Sequence, residues 1–425
     1  MRLLFITQVV DADDSVLGAY HGWIAEFAKL FERIEVICLK EGSHAFPANV
    51  RVHSLGKERR FQKGPQCQQE LQFQKAYQSK FTLYGKNPNE ENLNRENPEE
   101  EKSTLYGKFV YRIQYSFRFL ALAWRLRRDY DAVFVHMNQE YVLIAGPLWN
   151  MIGKPVYLWR NHYAGSWLTD LAAAFCKNVF CTSRASYTAK YRKTILMPVG
   201  VDTGVFKRPS RERRPSEEHG STAFSRMDVG NTEASRPNVP RTDITRAPHS
   251  ILSLGRIAPS KNLHVLIEAL GLLSARGIDF SADIYGDALP KDASYAKKLS
   301  VRVKELDLER IVRFHAGMPN RETPRIYGAH EIFVNCSPAG MFDKTLLEAA
   351  ACGCRILSTS QDLREEAGES AHTASDASSI ASGLGRLMEA FHADDLSGLV
   401  SRHSLKKLGE RLSCILTESS ASPLA

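Results

Sequence analysis

Two basic residues border a short segment between a strand-like run and a helical pattern in the second half of the chain. The run Ile251–Leu254 is followed by Gly255 and Arg256, and Lys261 stands close to the start of an amphipathic stretch. Ligands of open α/β sheets bind at the carboxyl ends of the strands, where a helix N-terminus adds positive potential. Two cations at such a place suit a diphosphate group. Basic residues are also common at the starts of surface helices, so the pattern alone is weak evidence.

An acidic residue follows a second loop of this kind. The segment CSPAGMFDK, residues 336–344, leads into a helical stretch that carries Glu348 among apolar neighbours. A carboxylate at this position could accept the hydroxyl groups of a ribose, as in nucleotide-binding α/β folds, or could complement the helix dipole. If Glu348 is buried, it needs a hydrogen-bonding partner.

Polar residues also follow strand-like runs in the first half of the chain. His136 and Asn138 end the run AVFVHMN, His162 follows the run VYLWRN, and Gly18 lies in a loop after the first run. Because the carboxyl ends of parallel strands share one sheet edge, these residues are candidates for the acceptor side of a cleft. For His136 the alternative is that it satisfies a buried backbone group.

Short apolar runs alternate with amphipathic stretches along most of the chain. This rhythm is typical of βαβ units, and it predicts an α/β protein with two doubly wound, Rossmann-like domains. The runs in the first half are Leu3–Ile6, Glu35–Leu39, Ala132–His136, Pro155–Trp159, Val179–Thr182 and Ile195–Pro198. Those in the second half are Ile251–Leu254, Phe280–Tyr285, Ile311–His315, Ile332–Asn335 and Arg355–Ser358.

Two polar segments interrupt the rhythm and define the domain boundaries. Residues 59–107 are rich in Gln, Asn, Glu and Lys, which predicts a disordered insertion, and the pentapeptide TLYGK occurs at 82–86 and again at 104–108. Residues 207–249 contain five prolines and mixed charges, which predicts a linker or insertion of low complexity. We therefore expect a first domain over 1–206 and a second over 250–400. Residues 401–425 are expected to form a helix that packs back on the first domain, followed by a tail.

Composition excludes several classes of protein. The 425 residues include 56 Lys and Arg against 48 Asp and Glu, a net charge of +8, and the eight cysteines are too sparse for a disulfide scaffold. Cys352 and Cys354 have no second pair or neighbouring histidines, so no metal site is expected. No run approaches the ~18 apolar residues of a membrane span. We expect a cytoplasmic protein without nucleic-acid partners, although its basic excess also allows peripheral contact with the inner face of a membrane.

Four segments resemble, in order along the chain, motifs of glycosyltransferase family 4. LMPVGVDTGVF resembles the segment that closes the family's first domain, and GRIAPSKNLHVLIEAL resembles its donor-binding arm. IYGD, which contains Gly286, resembles a strand-end glycine motif, and SPAGMFDKTLLEAAACGCRIL resembles the acidic motif with its helix. The resemblance covers about 1–58, 108–206 and 250–416.

The resemblance implies the GT-B fold, in which two Rossmann-like domains face each other across a cleft. It implies transfer of a hexose from a nucleoside diphosphate sugar to a hydroxyl of a glycan or lipid-linked acceptor, with retention and without a metal or other cofactor. Carried over by motif position, Arg256 and Lys261 would hold the diphosphate and Glu348 the ribose. His162 matches the family's histidine near the reacting sugar.

One position departs from the family pattern. The family's Glu-x7-Glu motif would place its first glutamate at residue 340, but this chain has Gly340 there. Asp343 could take over the contact with the sugar, with Lys344 near the phosphates. Alternatively, backbone N–H groups of Met341, Phe342 and Asp343 could hold the sugar.

Two other classes of protein stay open. A catalytically degenerate nucleotide-sugar-binding protein would fit the loss of the first glutamate and the two polar segments. A nucleotide-sugar epimerase of the same fold would change the sugar without an acceptor.

Overall fold

Two parallel β-sheets form the centres of two domains in the computed structural model, which describes residues 1–15, 17–58, 113–208, 246–389 and 395–421. The predicted insertion 59–107 and most of the predicted segment 207–249 lie outside the described residues.

In the part of the chain that the structure describes, the first sheet has seven strands in the order β3-β2-β1-β4-β5-β6-β7. Its strands are β1 Arg2–Val10, β2 Arg33–Glu41, β3 Val50–Ser54, β4 Ala132–His136, β5 Val156–Trp159, β6 Asn178–Cys181 and β7 Thr194–Leu196. All neighbouring pairs are parallel. β4 and β5 are buried along their whole length and β1 is buried over residues 3–7, because helices cover both faces of the sheet.

Helices of the first domain form two layers. They are α1 Ala19–Phe27, α2 over 113–125, α3 Gln139–Met151 and α4 Trp167–Phe175. On one face of the sheet, α1 packs with the last helix of the chain. On the other face, buried side chains of α2, α3 and α4 form a second apolar core.

The second sheet has five parallel strands in the order β10-β9-β8-β11-β12. Its strands are β8 Ser250–Leu254, β9 Ser281–Tyr285, β10 Val312–His315, β11 Ile332–Asn335 and β12 Arg355–Ser358. The helices of this half are α5 Leu263–Ala275, α6 Ala293–Glu305, α7 Thr323–Ala329, α8 Lys344–Ala351, α9 Gln361–Ala367, α10 Ala377–Glu389, α11 Ser397–Arg402 and α12 Leu405–Ala421.

The chain returns to the first domain at its end. Leu405, Leu408 and Leu412 on α12 are buried in the same apolar core as Trp23 and Phe27 of α1. Among the described residues, no helix is both long and apolar enough to cross a membrane.

The start of α5 differs from the sequence expectation. The apolar pattern predicts a helix from about residue 260, but Pro259–Lys261 form a separate 3-10 turn and the α-helix begins at Leu263. Asn262 between them adopts a left-handed conformation with φ of 49°. Lys261 therefore belongs to a tight turn at the sheet edge, which directs its side chain toward β11.

Candidate active site in the interdomain cleft

The two domains enclose a cleft at the carboxyl ends of their sheets. Tyr20, Trp23 and Asn161 line it from the first domain, and the loops after β8, β9 and β11 line it from the second. In parallel α/β sheets this edge is where ligands bind, because the helix N-termini and strand-end loops converge there.

Lys261 is the centre of a polar network in this cleft. Its ammonium forms an ion pair with the Asp343 carboxylate and lies 3.1 Å from Ser337 Oγ. Asn335 Nδ2 donates to Asp343 Oδ2 at 3.0 Å, and Thr345 Oγ1 donates to Oδ1 at 3.1 Å. The bonds of Lys261 to Asp343 and Ser337 use two of the three N–H groups of its ammonium, so one donor is left for a ligand.

Asp343 has a structural role as well. It caps the N-terminus of α8, where its side chain accepts the backbone N–H of Thr345. Burial raises the pKa of Asp343, but the Lys261 ammonium and the hydrogen bonds from Lys261, Asn335 and Thr345 outweigh this and lower it to about 2. Its carboxylate is thus ionised at neutral pH and already has partners on both oxygens.

The strand-end glycines allow β8 and β9 to approach closely. Gly255 and Gly286 have φ of 151° and 153°, and a Cβ at residue 286 would lie only 1.8 Å from the Gly255 carbonyl oxygen. A side chain at residue 286 is therefore excluded. Arg256 follows Gly255, lines the cleft and is exposed; within the described ranges it has no ion-pair partner.

Glu348 lies at the base of the cleft and is 1% exposed. Asn320 Nδ2 donates to its Oε1 at 3.3 Å, and the Tyr327 hydroxyl donates to its Oε2 at 3.2 Å. Burial raises the pKa of Glu348, partly offset by Lys344 and these two donors. The sequence indicated that a buried Glu348 needs a partner, but nothing in its spacing identified Asn320 or Tyr327.

Lys344 reaches across the cleft to the first domain. Its Nζ lies 5.0 Å from the ring centroids of both Tyr20 and Trp23, a cation–π arrangement. Burial lowers the pKa of Lys344 to about 8, although Glu348 and Asp202 act in the opposite direction. The ammonium is therefore at the boundary between the two domains, next to the aromatic side chains of α1.

The loop at Gly340 is fixed by a carboxylate that sequence reasoning missed. Asp362 Oδ2 accepts the backbone N–H groups of Gly340 at 2.8 Å and Phe342 at 3.1 Å, and its Oδ1 accepts the Ser183 hydroxyl of the first domain. Asp362 is buried in the first turn of α9, just beyond the carboxyl end of β12. That position is a signal of the same kind as the one that indicated Glu348.

The same loop contacts the first domain directly. Asn161 Nδ2 donates to the Met341 carbonyl, and Ser186 Oγ donates to the Gly340 carbonyl at 2.7 Å. Gly340 has φ of 99°, and a Cβ there would lie 2.7 Å from Tyr163 Cβ. The position at which the family motif has glutamate is therefore a domain contact in this protein.

Replacing Asp362 by alanine is expected to lower the free energy of unfolding by about 2 kcal/mol, because two buried N–H groups lose their acceptor. Urea denaturation measures the change. Asp362→Asn keeps one acceptor oxygen and should recover about half of the loss. Asp279→Ala, at an exposed site, should change stability by less than ~0.5 kcal/mol. If Asp362→Ala unfolds like the parent protein, Asp362 does not hold this loop.

His162 and His136 occupy different surroundings. His162 Nδ1 accepts the Ala164 N–H at 2.9 Å and its ring stacks on Tyr163, while its neighbour Asn161 lines the cleft. Burial lowers the pKa of His162. His136 is buried, with its ring centroid 4.0 Å from that of Tyr20. Burial and Lys344 lower its pKa to about 3, so it is neutral, and its Nε2 has no partner among the described residues.

Gly18 and Asn138 stand at helix starts and are not among the side chains that line the cleft. The Gly18 N–H donates to the Asp14 carbonyl at 3.0 Å, and a Cβ at residue 18 would lie 2.5 Å from that oxygen. Asn138 precedes α3 without a side-chain capping bond. Residues close to them in sequence, Ser15, Ala19 and Met137, do line the cleft.

The fold and the cleft define a two-domain α/β protein of the GT-B class, and comparison of structures agrees. HepE from Anabaena, solved in complex with UDP-glucose, matches with a TM-score of 0.64 and 16% identity, over 98% of this chain and all of that chain. Sucrose-phosphate synthase from Thermosynechococcus elongatus matches with a TM-score of 0.59 and 15% identity, over 99% of this chain and 98% of that one. The predicted fold class is confirmed.

Sequence comparison then finds similarity that includes the second domain. Residues 239–375 match the family described as Glycosyl transferases group 1. Mannosylfructose-phosphate synthase from Agrobacterium fabrum is 31% identical over 106 residues, 24% of this chain and 23% of that protein. The Escherichia coli protein described as putative colanic acid biosynthesis glycosyltransferase WcaL is 27% identical over 196 residues, 45% of this chain and 41% of that protein. The matches thus span from about a fifth to two fifths of the curated relatives.

Proposed function

We propose that this protein is a glycosyltransferase of the family 4 type that moves a hexose from a UDP-sugar to an acceptor hydroxyl. The observation that carries the proposal is the cleft itself, where Arg256, the Lys261 network and buried Glu348 converge opposite the first domain. The choice of UDP rests on HepE, which has this fold and was solved with UDP-glucose. Neither the described residues nor the comparisons give support to the epimerase or to the degenerate binding protein.

A thermal-shift screen against UDP-, GDP- and ADP-sugars tests the donor. We expect UDP-sugars to raise the melting temperature most, because a ligand that binds only the folded state stabilises it by mass action. Release of free UDP with each UDP-sugar in turn then identifies the sugar. If none of the three nucleotides changes the melting temperature, the cleft does not bind a nucleotide-sugar and the proposal fails.

The proposed chemistry depends on charge that develops on the leaving diphosphate. As the glycosidic bond loosens, Arg256 and the free N–H of Lys261 would stabilise that charge in a partly buried site. Arg256 and Lys261 would supply the role that a divalent ion has in other transferases, so activity should persist in excess EDTA. Retention is proposed from the motif resemblance, and NMR of the first product anomer decides it.

The sugar contact has to differ from the family pattern. The Asp343 carboxylate and the Phe342 N–H already have partners within the protein. A sugar hydroxyl held by Asp343 would share its oxygens with Lys261 and Asn335. Lys344, beside Tyr20 and Trp23, lies where the sugar and the acceptor would meet. The acceptor is proposed to be a glycan or a lipid-linked molecule that binds the first domain.

Replacing Glu348 by glutamine is expected to weaken UDP binding about tenfold or more, because a charged acceptor for the ribose hydroxyls is lost. Isothermal titration calorimetry measures the affinity. Without nucleotide, the stability of the variant should stay close to that of the parent protein, because glutamine can keep the hydrogen bonds to Asn320 and Tyr327. Glu389→Gln, at an exposed site on α10, is the matched control. Unchanged affinity in Glu348→Gln would leave Glu348 with a purely structural role.

A further inference from the structure

The exposed large apolar side chains are concentrated on one layer of helices. Seven of the thirteen that the described residues expose lie on α2, α3 and α4, which cover one face of the first sheet. On α2 they are Ile113, Phe117 and Trp124, with 40%, 69% and 48% exposure. The side chains of α2 that do pack on the sheet, such as Phe119 and Ala123, lie on its other side.

The neighbouring helices extend this apolar surface. Met151 at the end of α3 is 81% exposed, and on α4 Trp167, Leu168 and Leu171 face outward while Ala172 and Ala173 are buried. α4 begins with a capping box at Ser166, so Trp167 is held on a rigid element. A globular helix normally presents polar residues to water, and an exposed apolar face of this extent marks an interaction surface.

Basic residues accompany the apolar ones. Residues 113–128 contain four arginines and no acidic residue, and three of the arginines, Arg118, Arg125 and Arg128, are exposed. The fourth, Arg127, covers the Trp124 ring at 4.2 Å. The charged residues of the other two helices are one acidic residue each, Glu140 on α3 and, on α4, Asp170. Its carboxylate forms an ion pair with Lys190 at 2.8 Å.

We propose that the outer face of α2, α3 and α4 docks on the interfacial region of an anionic lipid bilayer. Aromatic and aliphatic side chains among arginines suit the boundary between headgroups and acyl chains. The positive charge favours an anionic surface, and it disfavours a second copy of this face, which would bring like charges together. The inference does not depend on the proposed sugar transfer.

The last helix is a poorer candidate for this contact. Its apolar residues Leu405, Leu408 and Leu412 are buried against the first domain. Lys407 on its outer side forms an ion pair with Glu410 at 3.0 Å. By contrast, α4 follows the loop of Asn161, which lines the cleft, so docking through the α2–α4 face would hold the cleft mouth beside the lipid surface.

Co-sedimentation of the full chain with vesicles tests the proposal. We expect binding to phosphatidylcholine vesicles with 30% phosphatidylglycerol, weaker binding at 0.5 M NaCl, and little binding to phosphatidylcholine alone. Two double variants are compared with the parent protein. We expect the partition coefficient to fall at least tenfold in Phe117→Ser with Trp167→Ser, and likewise in Arg125→Glu with Arg128→Glu.

Matched pairs on the second domain serve as controls. Leu272→Ser with Val301→Ser replaces exposed apolar residues, and Arg310→Glu with Arg386→Glu makes the same reversal of charge at exposed sites; both pairs should leave vesicle binding unchanged. Circular dichroism and the melting shift with UDP verify that each variant is folded; absence of the UDP shift in the parent protein would instead refute the proposed function. The proposal is overturned if the protein does not bind anionic vesicles, binds neutral vesicles equally well, or loses vesicle binding equally in the control variants. It is also overturned if the protein self-associates without binding vesicles and the Phe117 and Trp167 substitutions abolish that self-association.

Discussion

Turnover of the Lys261→Met variant is expected to fall by about 10²–10³-fold, the usual effect of removing one preorganised donor from developing transition-state charge. Methionine retains most of the volume of the lysine side chain, so the packing of the turn at Pro259–Lys261 should survive. Steady-state kinetics with the donor found in the thermal-shift screen measure the effect. Most of the loss should be in kcat, because the contact strengthens as the diphosphate leaves.

The ion pair between Lys261 and Asp343 complicates a single substitution. Without its ammonium, the Asp343 carboxylate is left largely buried and uncompensated, which lowers stability in its own right. The double variant Lys261→Met with Asp343→Asn separates the two effects. We expect its melting temperature to recover toward that of the parent protein while its turnover stays low.

Lys297→Met, at an exposed site on α6, should behave like the parent protein in both assays. If the double variant regains normal turnover, Lys261 serves only to neutralise Asp343 and the diphosphate assignment is wrong.

The sequence predicts the sheet edges much better than the contacts across them. Apolar runs indicated eleven of the strands that the structure describes, and with them the loops that hold Arg256, Lys261 and Glu348, because that periodicity is local. The short edge strand β3 was missed: its side chains are only partly buried, so its apolar signal is weak.

The pairing of residues distant in sequence has no such local signal. Lys261 meets Asp343 and Asn161 meets the Met341 carbonyl only because two loops share a cleft. Lys344 illustrates the same limit. Its place in the motif suggested the phosphates, whereas its ammonium lies over Tyr20 and Trp23 of the other domain.

The glycine at residue 340 leads to the second large effect. Gly340→Glu restores the glutamate that the family motif has, yet we expect it to reduce turnover at least about 10²-fold. The residue has φ of 99°, which costs roughly 1–2 kcal/mol for a residue with a Cβ. That Cβ would also lie 2.7 Å from Tyr163 Cβ and 2.8 Å from the Ala185 carbonyl oxygen.

Relief of this clash requires the loop to move away from the first domain. The Gly340 N–H would then separate from Asp362 and its carbonyl from Ser186, and the domain contact beside the cleft would be lost. Tyr163→Ala should not rescue the variant, because alanine keeps the Cβ and the Ala185 carbonyl stays in place.

Three variants test whether residue 340 has to be glycine. Turnover and melting temperature are measured together for Gly340→Ala, Gly340→Glu and Gly385→Glu. Gly385 lies on α10 with open space around its Cβ position, so Gly385→Glu should leave both quantities close to those of the parent protein. Gly340→Ala should already show much of the loss, since the strain and the clash begin at Cβ. If Gly340→Glu instead matches or exceeds the parent turnover, the loop can rearrange and the glutamate takes up its family role. The glycine at residue 340 would then reflect a sugar contact that this protein does without, and the domain interface would not require it.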